Sequence, residues 1–138
     1  VKHFISAFGE HVIAEEVNDA ILAATQATGA RFQEFTVAPY ITEAKGQSYH
    51  EWLIEFDQNP QDPEAFAEVL DHALRQRNSY YDDLRAGNIL LRAQVRQLSP
   101  QASRAYMKSQ GKLGGQNKFP RLSNDRRLAD ALAPYIIA

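Results

Sequence analysis

Tyr49-His50-Glu51-Trp52-Leu53-Ile54-Glu55-Phe56 alternates two sets of side chains and is rich in aromatic and β-branched residues, the pattern of a strand pressed against a core. Phe32 to Pro39 alternates in the same way, with Phe32, Glu34 and Thr36 against Gln33, Phe35 and Val37. A loop containing Gly46 lies between the two and is long enough to close a hairpin. Downstream, Asp62-Pro63 supplies an N-cap and a first helical residue, followed by Phe66, Val69, Leu70, Ala73 and Leu74 on one face, so a helix is predicted to end near Asn78. Upstream, Glu15 to Thr28 places Val17, Ala20, Ile21 and Ala24 at helical spacing, with acids in the first turn and Gly29 after the last.

Further out, Phe4 to Phe8 reads as a short strand stopped by Gly9, Tyr80 to Ala86 as a helical turn broken at Gly87, and Ile89 to Leu98 as a third long strand. Ser99-Pro100 is predicted to cap a helix that runs through Tyr106 and stops at Gly111, and Ser123 to cap a last helix over Asp125 to Ala133. The order β-α-β-β-α-β-α-α predicts an α+β fold, one small and mostly antiparallel sheet with helices packed on it. Trp52, Phe56, Phe32 and Phe35 are the expected core contacts between sheet and helices.

A chain of 138 residues, 44% hydrophobic, fits one globular domain. With no cysteine it offers no thiolate metal site, iron-sulfur cluster or cysteine nucleophile, which fits a reducing compartment. The chain opens on Val1 and its first residues already read as structured, so it is expected to be a domain of a larger protein. Charge is segregated: residues 1 to 73 hold three basic side chains against 13 acidic ones, and residues 74 to 138 hold 12 basic against four acidic. Such a division either builds a cationic face for a nucleotide, a nucleic acid or an acidic partner, or reflects ordinary solvated surfaces.

The chemistry concentrates in Gly111-Lys112-Leu113-Gly114-Gly115-Gln116-Asn117-Lys118-Phe119-Pro120-Arg121-Leu122, between two predicted helices. Its glycines point to unusual backbone angles or movement, and its lysines and arginine suit phosphate or carboxylate oxygens. It is not a phosphate loop of the GxxxxGK[ST] kind, because Phe119 and Pro120 follow Lys118. Elsewhere the signals are weak. His3, His11, His50 and His72 lie on separate elements without zinc spacing, and no GxSxG elbow is present. Arg92 and Arg96 alternate on the predicted third strand and keep nucleic-acid binding as an alternative, although the net charge is negative and no recognised motif accompanies them.

Phe4-Ile5-Ser6-Ala7-Phe8-Gly9-Glu10 leading into Glu15-Glu16-Val17, the strand Tyr49 to Phe56 and above all the segment Gly111 to Leu122 together resemble the C-terminal domain of a Gretchen Hagen acyl-acid amido synthetase, also labelled the auxin-responsive promoter family, in a bacterial version. The resemblance covers nearly the whole chain. The Gly-Glu element before a helix is shared more widely by the adenylate-forming superfamily. The resemblance implies a cytoplasmic two-step ligase that uses ATP with Mg2+, a carboxylic acid and an amino acid. It makes residues 1 to 138 the lid that swivels over an N-terminal domain holding most of the nucleotide and acyl site, and it leaves the isolated lid inactive. Lys118 takes the place of the superfamily's mobile catalytic lysine. Arg121 follows in the Lys-x-Pro-Arg pattern as a phosphate or domain contact, and Gly9 and Glu10 match the hinge-proximal loop facing the site in the second step. A non-catalytic ligand-binding or interaction module is the alternative.

Overall fold

The computed structural model describes residues 4 to 112, 114 and 117 to 138; His3, Leu113, Gly115 and Gln116, which the sequence analysis singled out or included in the Gly111 to Leu122 segment, lie outside the described residues. The chain begins with a two-stranded antiparallel hairpin, β1 (Phe4–Ile5) against β2 (Val12–Ile13), where the sequence suggested one longer strand. Its turn is closed by Gly9, whose φ of 85° is open to glycine without strain and whose N–H donates to Ser6 O at 3.0 Å. Helix α1 (Ala14–Thr28) follows directly, with the Glu16 carboxylate accepting from Ile13 N at 3.0 Å and Gly29 ending it at φ 78°.

Strands β3 (Arg31–Tyr40) and β4 (Tyr49–Gln58) form the predicted antiparallel hairpin, with Val37 opposite Trp52 and Tyr40 opposite Tyr49. Helix α2 (Pro63–Arg77) starts as read, Asp62 accepting from Ala65 N at 3.1 Å, and Asn78 then caps α3 (Ser79–Ala86). The third strand, β5 (Gln94–Leu98), is parallel to β4 and shorter than expected. Leu90 still bridges Ser48, but Ala93 N donates to the buried Asp71 carboxylate at 3.0 Å, which takes the chain out of the ladder until Gln94. The sheet is therefore mostly antiparallel, in the order β3-β4-β5.

Helix α4 (Ala102–Ser109) is not capped by Ser99. Gln101 turns into the left-handed region at φ 70°, and the helix start is capped from β4 by Glu55, which accepts from Gln101 N, Ser103 N and Ser103 Oγ. Helix α5 (Arg127–Leu132) begins two residues later than predicted and runs into a 3-10 turn (Ala133–Tyr135). Asp125 accepts from Arg127 N, while Ser123 is occupied at the sheet edge: Val37 N donates to Arg121 O and Ser123 N to Val37 O, both at 3.0 Å. On the opposite edge, Ile136 bridges Leu98 and the last residues pair with Gln97. Segments of the C-terminal chain thus cover both edges of the sheet.

Strand periodicity sends alternate residues into two cores. Phe35, Val37, Trp52 and Ile54 pack with α1 and α2, and Phe35 stacks on Trp52 at 5.6 Å between centroids. Burying a side chain such as Phe35 contributes about 1.5–3 kcal/mol. Ala38, Leu53 and Leu98 face Met107, Leu128 and Leu132 of α4 and α5 and also Phe119, which fastens the glycine-rich segment to this second core. Trp52 and Phe35 are buried as expected, while Phe32 and Phe56 sit half-buried at the margin of the first core.

Candidate functional site

Lys118 lies where the glycine-rich segment meets the sheet edge. Gly111 and Gly114 adopt φ of 67° and 80°, the left-handed values that their lack of a Cβ permits. After Lys118 the chain is held tightly. Phe119 enters the second core and meets Tyr106 edge to face at 6.2 Å, and Leu122 bridges Val37 at 1% exposure. Lys118 itself is exposed, and among the described residues no hydrogen bond or ion pair engages it. An exposed ammonium, unpaired among the described residues, therefore stands directly before a fixed backbone, an arrangement suited to approaching anionic oxygens.

Arg121 is placed differently. Its Nε donates to Glu34 Oε1 at 2.6 Å and its Nη1 to Asn18 Oδ1 at 2.8 Å, so the side chain points back toward α1 and β3.

Gly9 is exposed at the hairpin turn, whereas Glu10 is fully buried. One carboxylate oxygen of Glu10 accepts from Phe8 N at 2.8 Å and the other meets Nε2 of the equally buried His50 at 2.7 Å. Burial is the largest single influence and opposes the charged carboxylate, but the hydrogen bond and charge of His50 together with backbone hydrogen bonds from Phe8 and Glu10 outweigh it and hold Glu10 below the ordinary value of 4.5. Asn78 reinforces the turn by donating to the carbonyls of Glu10 and His11 and to Glu16 Oε1. Glu10 is thus an anchor for the turn rather than an open side chain, and it is Gly9 that reaches solvent. Ser6 N donates to Asn124 Oδ1 at 3.0 Å, which ties the hairpin to the chain just past Arg121.

Charge segregation in the sequence resolves into pairing between the two halves of the chain. Arg85 meets Asp71, Arg92 meets Glu64 and Glu68, Arg96 and Arg126 both meet Glu51, and Arg121 meets Glu34. Arg92 and Arg96, the two arginines of the predicted third strand, are therefore both paired with carboxylates. Arg104, Lys108 and Lys112, on and just after α4, remain exposed and unpaired among the described residues, as Lys118 does. No group of three or more His, Asp or Glu side chains converges to hold a metal ion among the described residues, and no helix among them is long and apolar enough to cross a membrane.

Residues 15–127 match the model of the GH3 family C-terminal domain. The chain belongs to the GH3 family. Its fold is that of solved GH3 enzymes: "GH3.15 acyl acid amido synthetase" superposes with a TM-score of 0.79 at 13% identity, over 99% of this chain and 27% of the other. "AtGH3.15 acyl acid amido synthetase in complex with 2,4-DB" superposes at 0.74, also with 13% identity, over 99% of this chain and 26% of the other. The chain thus spans about a quarter of the length of those synthetases, as their C-terminal domain. No curated protein matches the GH3 chain.

Sequence reasoning singled out Lys118, Arg121, Gly9 and Glu10 but missed His50, Glu34 and Asn18, the partners that fix two of them. Only the separation along the chain hid these partners: Glu10 and His50 are 40 residues apart and Arg121 and Glu34 are 87 apart.

Proposed function

We propose that this GH3 chain is the mobile lid of a cytoplasmic, bacterial-type acyl-acid amido synthetase that uses ATP, and that Lys118 is its catalytic residue in the first half-reaction. In that step a carboxylate oxygen attacks the α-phosphorus of ATP, forming an acyl-adenylate and releasing pyrophosphate. In the second, an amino-acid amine attacks the acyl carbon, the amide C–N bond forms, the amine loses a proton and AMP leaves. The Lys118 ammonium offsets the negative charge that gathers on the carboxylate and phosphate oxygens during adenylation. Gly9 lines the site in the second step, and Glu10 holds Gly9 in place through His50. The N-terminal domain of the same polypeptide supplies most of the ATP, Mg2+ and acyl contacts.

The observation that carries this reading is the exposed Lys118, unpaired among the described residues and set directly before a segment locked into the sheet, on a chain of this family. The exposed cations of α4, Arg104 and Lys108, support it, because they are unpaired among the described residues and attract anions. The test is ATP-pyrophosphate exchange by the full-length protein across a panel of carboxylic acids, followed by amide formation with amino acids. Exchange that depends on one class of acid is expected, with none from the 138-residue chain alone. Binding of ATP by the isolated chain tighter than about 1 µM would contradict the assignment of the nucleotide site to the other domain.

A further inference from the structure

Arg121 follows Lys118 closely, yet its half-buried side chain lies back on α1 and β3. Besides Glu34 and Asn18, it covers the aromatic layer, with Cζ 4.9 Å from the Phe35 ring centroid and 5.8 Å from that of Phe32. Its own carbonyl accepts from Val37 N, and Ser123 N donates to Val37 O. One residue therefore joins α1, β3 and the edge segment that carries Lys118. Contacts with a carboxylate, an amide oxygen and two ring faces need the planar fork of arginine, which a lysine cannot reproduce. Three extended residues span at most about 11 Å, so the position of Arg121 limits where Lys118 can stand.

We infer that Arg121 is a positioning residue: through Glu34 and Asn18 it fixes residues 119 to 123 on the edge of β3 and thereby sets the place of the Lys118 ammonium. The inference rests on the assignment of Lys118 above. It removes Arg121 from the phosphate-contact role implied by the resemblance.

The experiment compares Arg121→Ala, Arg121→Lys, Glu34→Ala and the double variant Arg121→Ala/Glu34→Ala in the full-length enzyme, measuring adenylation kinetics together with hydrogen exchange at the Ser123 amide. A displacement of about 1 Å at a reacting group costs up to roughly 100-fold, so adenylation kcat is expected to fall about 10- to 100-fold in Arg121→Ala and by a similar factor in Glu34→Ala, which removes the acceptor. The KM for ATP should stay within about twofold, since the lost interaction does not touch the nucleotide. The double variant should be no slower than the slower single, as for two halves of one interaction, and Arg121→Lys should rescue little. Ser123 exchange should quicken by about tenfold or more wherever the contact is broken. A KM for ATP that rises in Arg121→Ala while Glu34→Ala behaves as wild type would overturn the inference in favour of a direct phosphate contact. Unchanged Ser123 exchange in Arg121→Ala would overturn it as well. Failure of the Lys118 assignment looks different: Lys118→Ala would then adenylate normally while Arg121→Ala still loosened Ser123, which removes the catalytic half of the inference.

Discussion

Glu10→Ala removes a fully buried carboxylate and strands two donors, Phe8 N at 2.8 Å and His50 Nε2 at 2.7 Å. An orphaned donor costs about 1–3 kcal/mol; with Phe8 only part-buried, the loss should total roughly 2–4 kcal/mol, a large share of the stability of a domain this size. Glu10→Gln keeps volume and one acceptor and should cost about 1 kcal/mol near neutral pH. The two variants also separate charge from packing. Because the folded carboxyl lies below 4.5, its stabilisation is present above that value and is lost as pH falls through the folded value. The native protein should therefore lose more stability than Glu10→Gln on acidification below about pH 4.5, since glutamine does not titrate. Urea denaturation followed by the fluorescence of the single tryptophan, Trp52, at neutral and acid pH reads both effects. Glu10→Ala unfolding within about 0.5 kcal/mol of the native chain, or equal acid losses in the native chain and Glu10→Gln, would refute the reasoning.

Two further outcomes follow from buried polar groups. Glu55→Ala removes the side-chain cap of α4 and should cost about 1–2 kcal/mol, with faster amide exchange over Ala102–Ser109 and little change in α2; uniform exchange across both helices would contradict the cap. Tyr81 is buried and donates to Asp71 Oδ1 at 2.6 Å, and burial first and then the Asp71 charge push its phenol well above 10.0. Its contribution to stability should be full below about pH 10 and be lost as pH rises further, so one of the six tyrosines should stay silent in a spectrophotometric titration until the domain unfolds. All six titrating together near pH 10 would contradict this placement.

The elements whose signals are local were legible in the sequence. The β3-β4 hairpin follows from alternation, the start of α2 from Asp62-Pro63, and the end of α1 from Gly29. What escaped was decided by partners far along the chain. Asp71, 22 residues away, takes the Ala93 N–H and shortens β5, and Glu55, 46 residues away from Gln101, replaces Ser99 as the cap of α4. Ser123 looks like a helix cap because its residue type suits one, but the open edge of β3 competes for its N–H and wins. At the candidate site, Lys118 was visible because its motif is contiguous. The inward turn of Arg121 was not, since Glu34 is an ordinary-looking strand acid until the fold brings it to 2.6 Å. The same holds for the charge segregation, which became intramolecular pairing only once α2, β4 and β5 were adjacent.

The central claim is that Lys118 serves adenylation and not amide formation, and separate measurement of the two half-reactions in full-length Lys118→Ala and Lys112→Ala tests it most directly. Loss of one preorganised charge stabiliser predicts that ATP-pyrophosphate exchange slows by roughly 10²- to 10³-fold in Lys118→Ala, while amide formation from a supplied acyl-adenylate suffers far less. Lys112, beside the end of α4, should change the exchange rate little. Equal slowing of exchange by the two substitutions, or equal impairment of both half-reactions in Lys118→Ala, would contradict the claim.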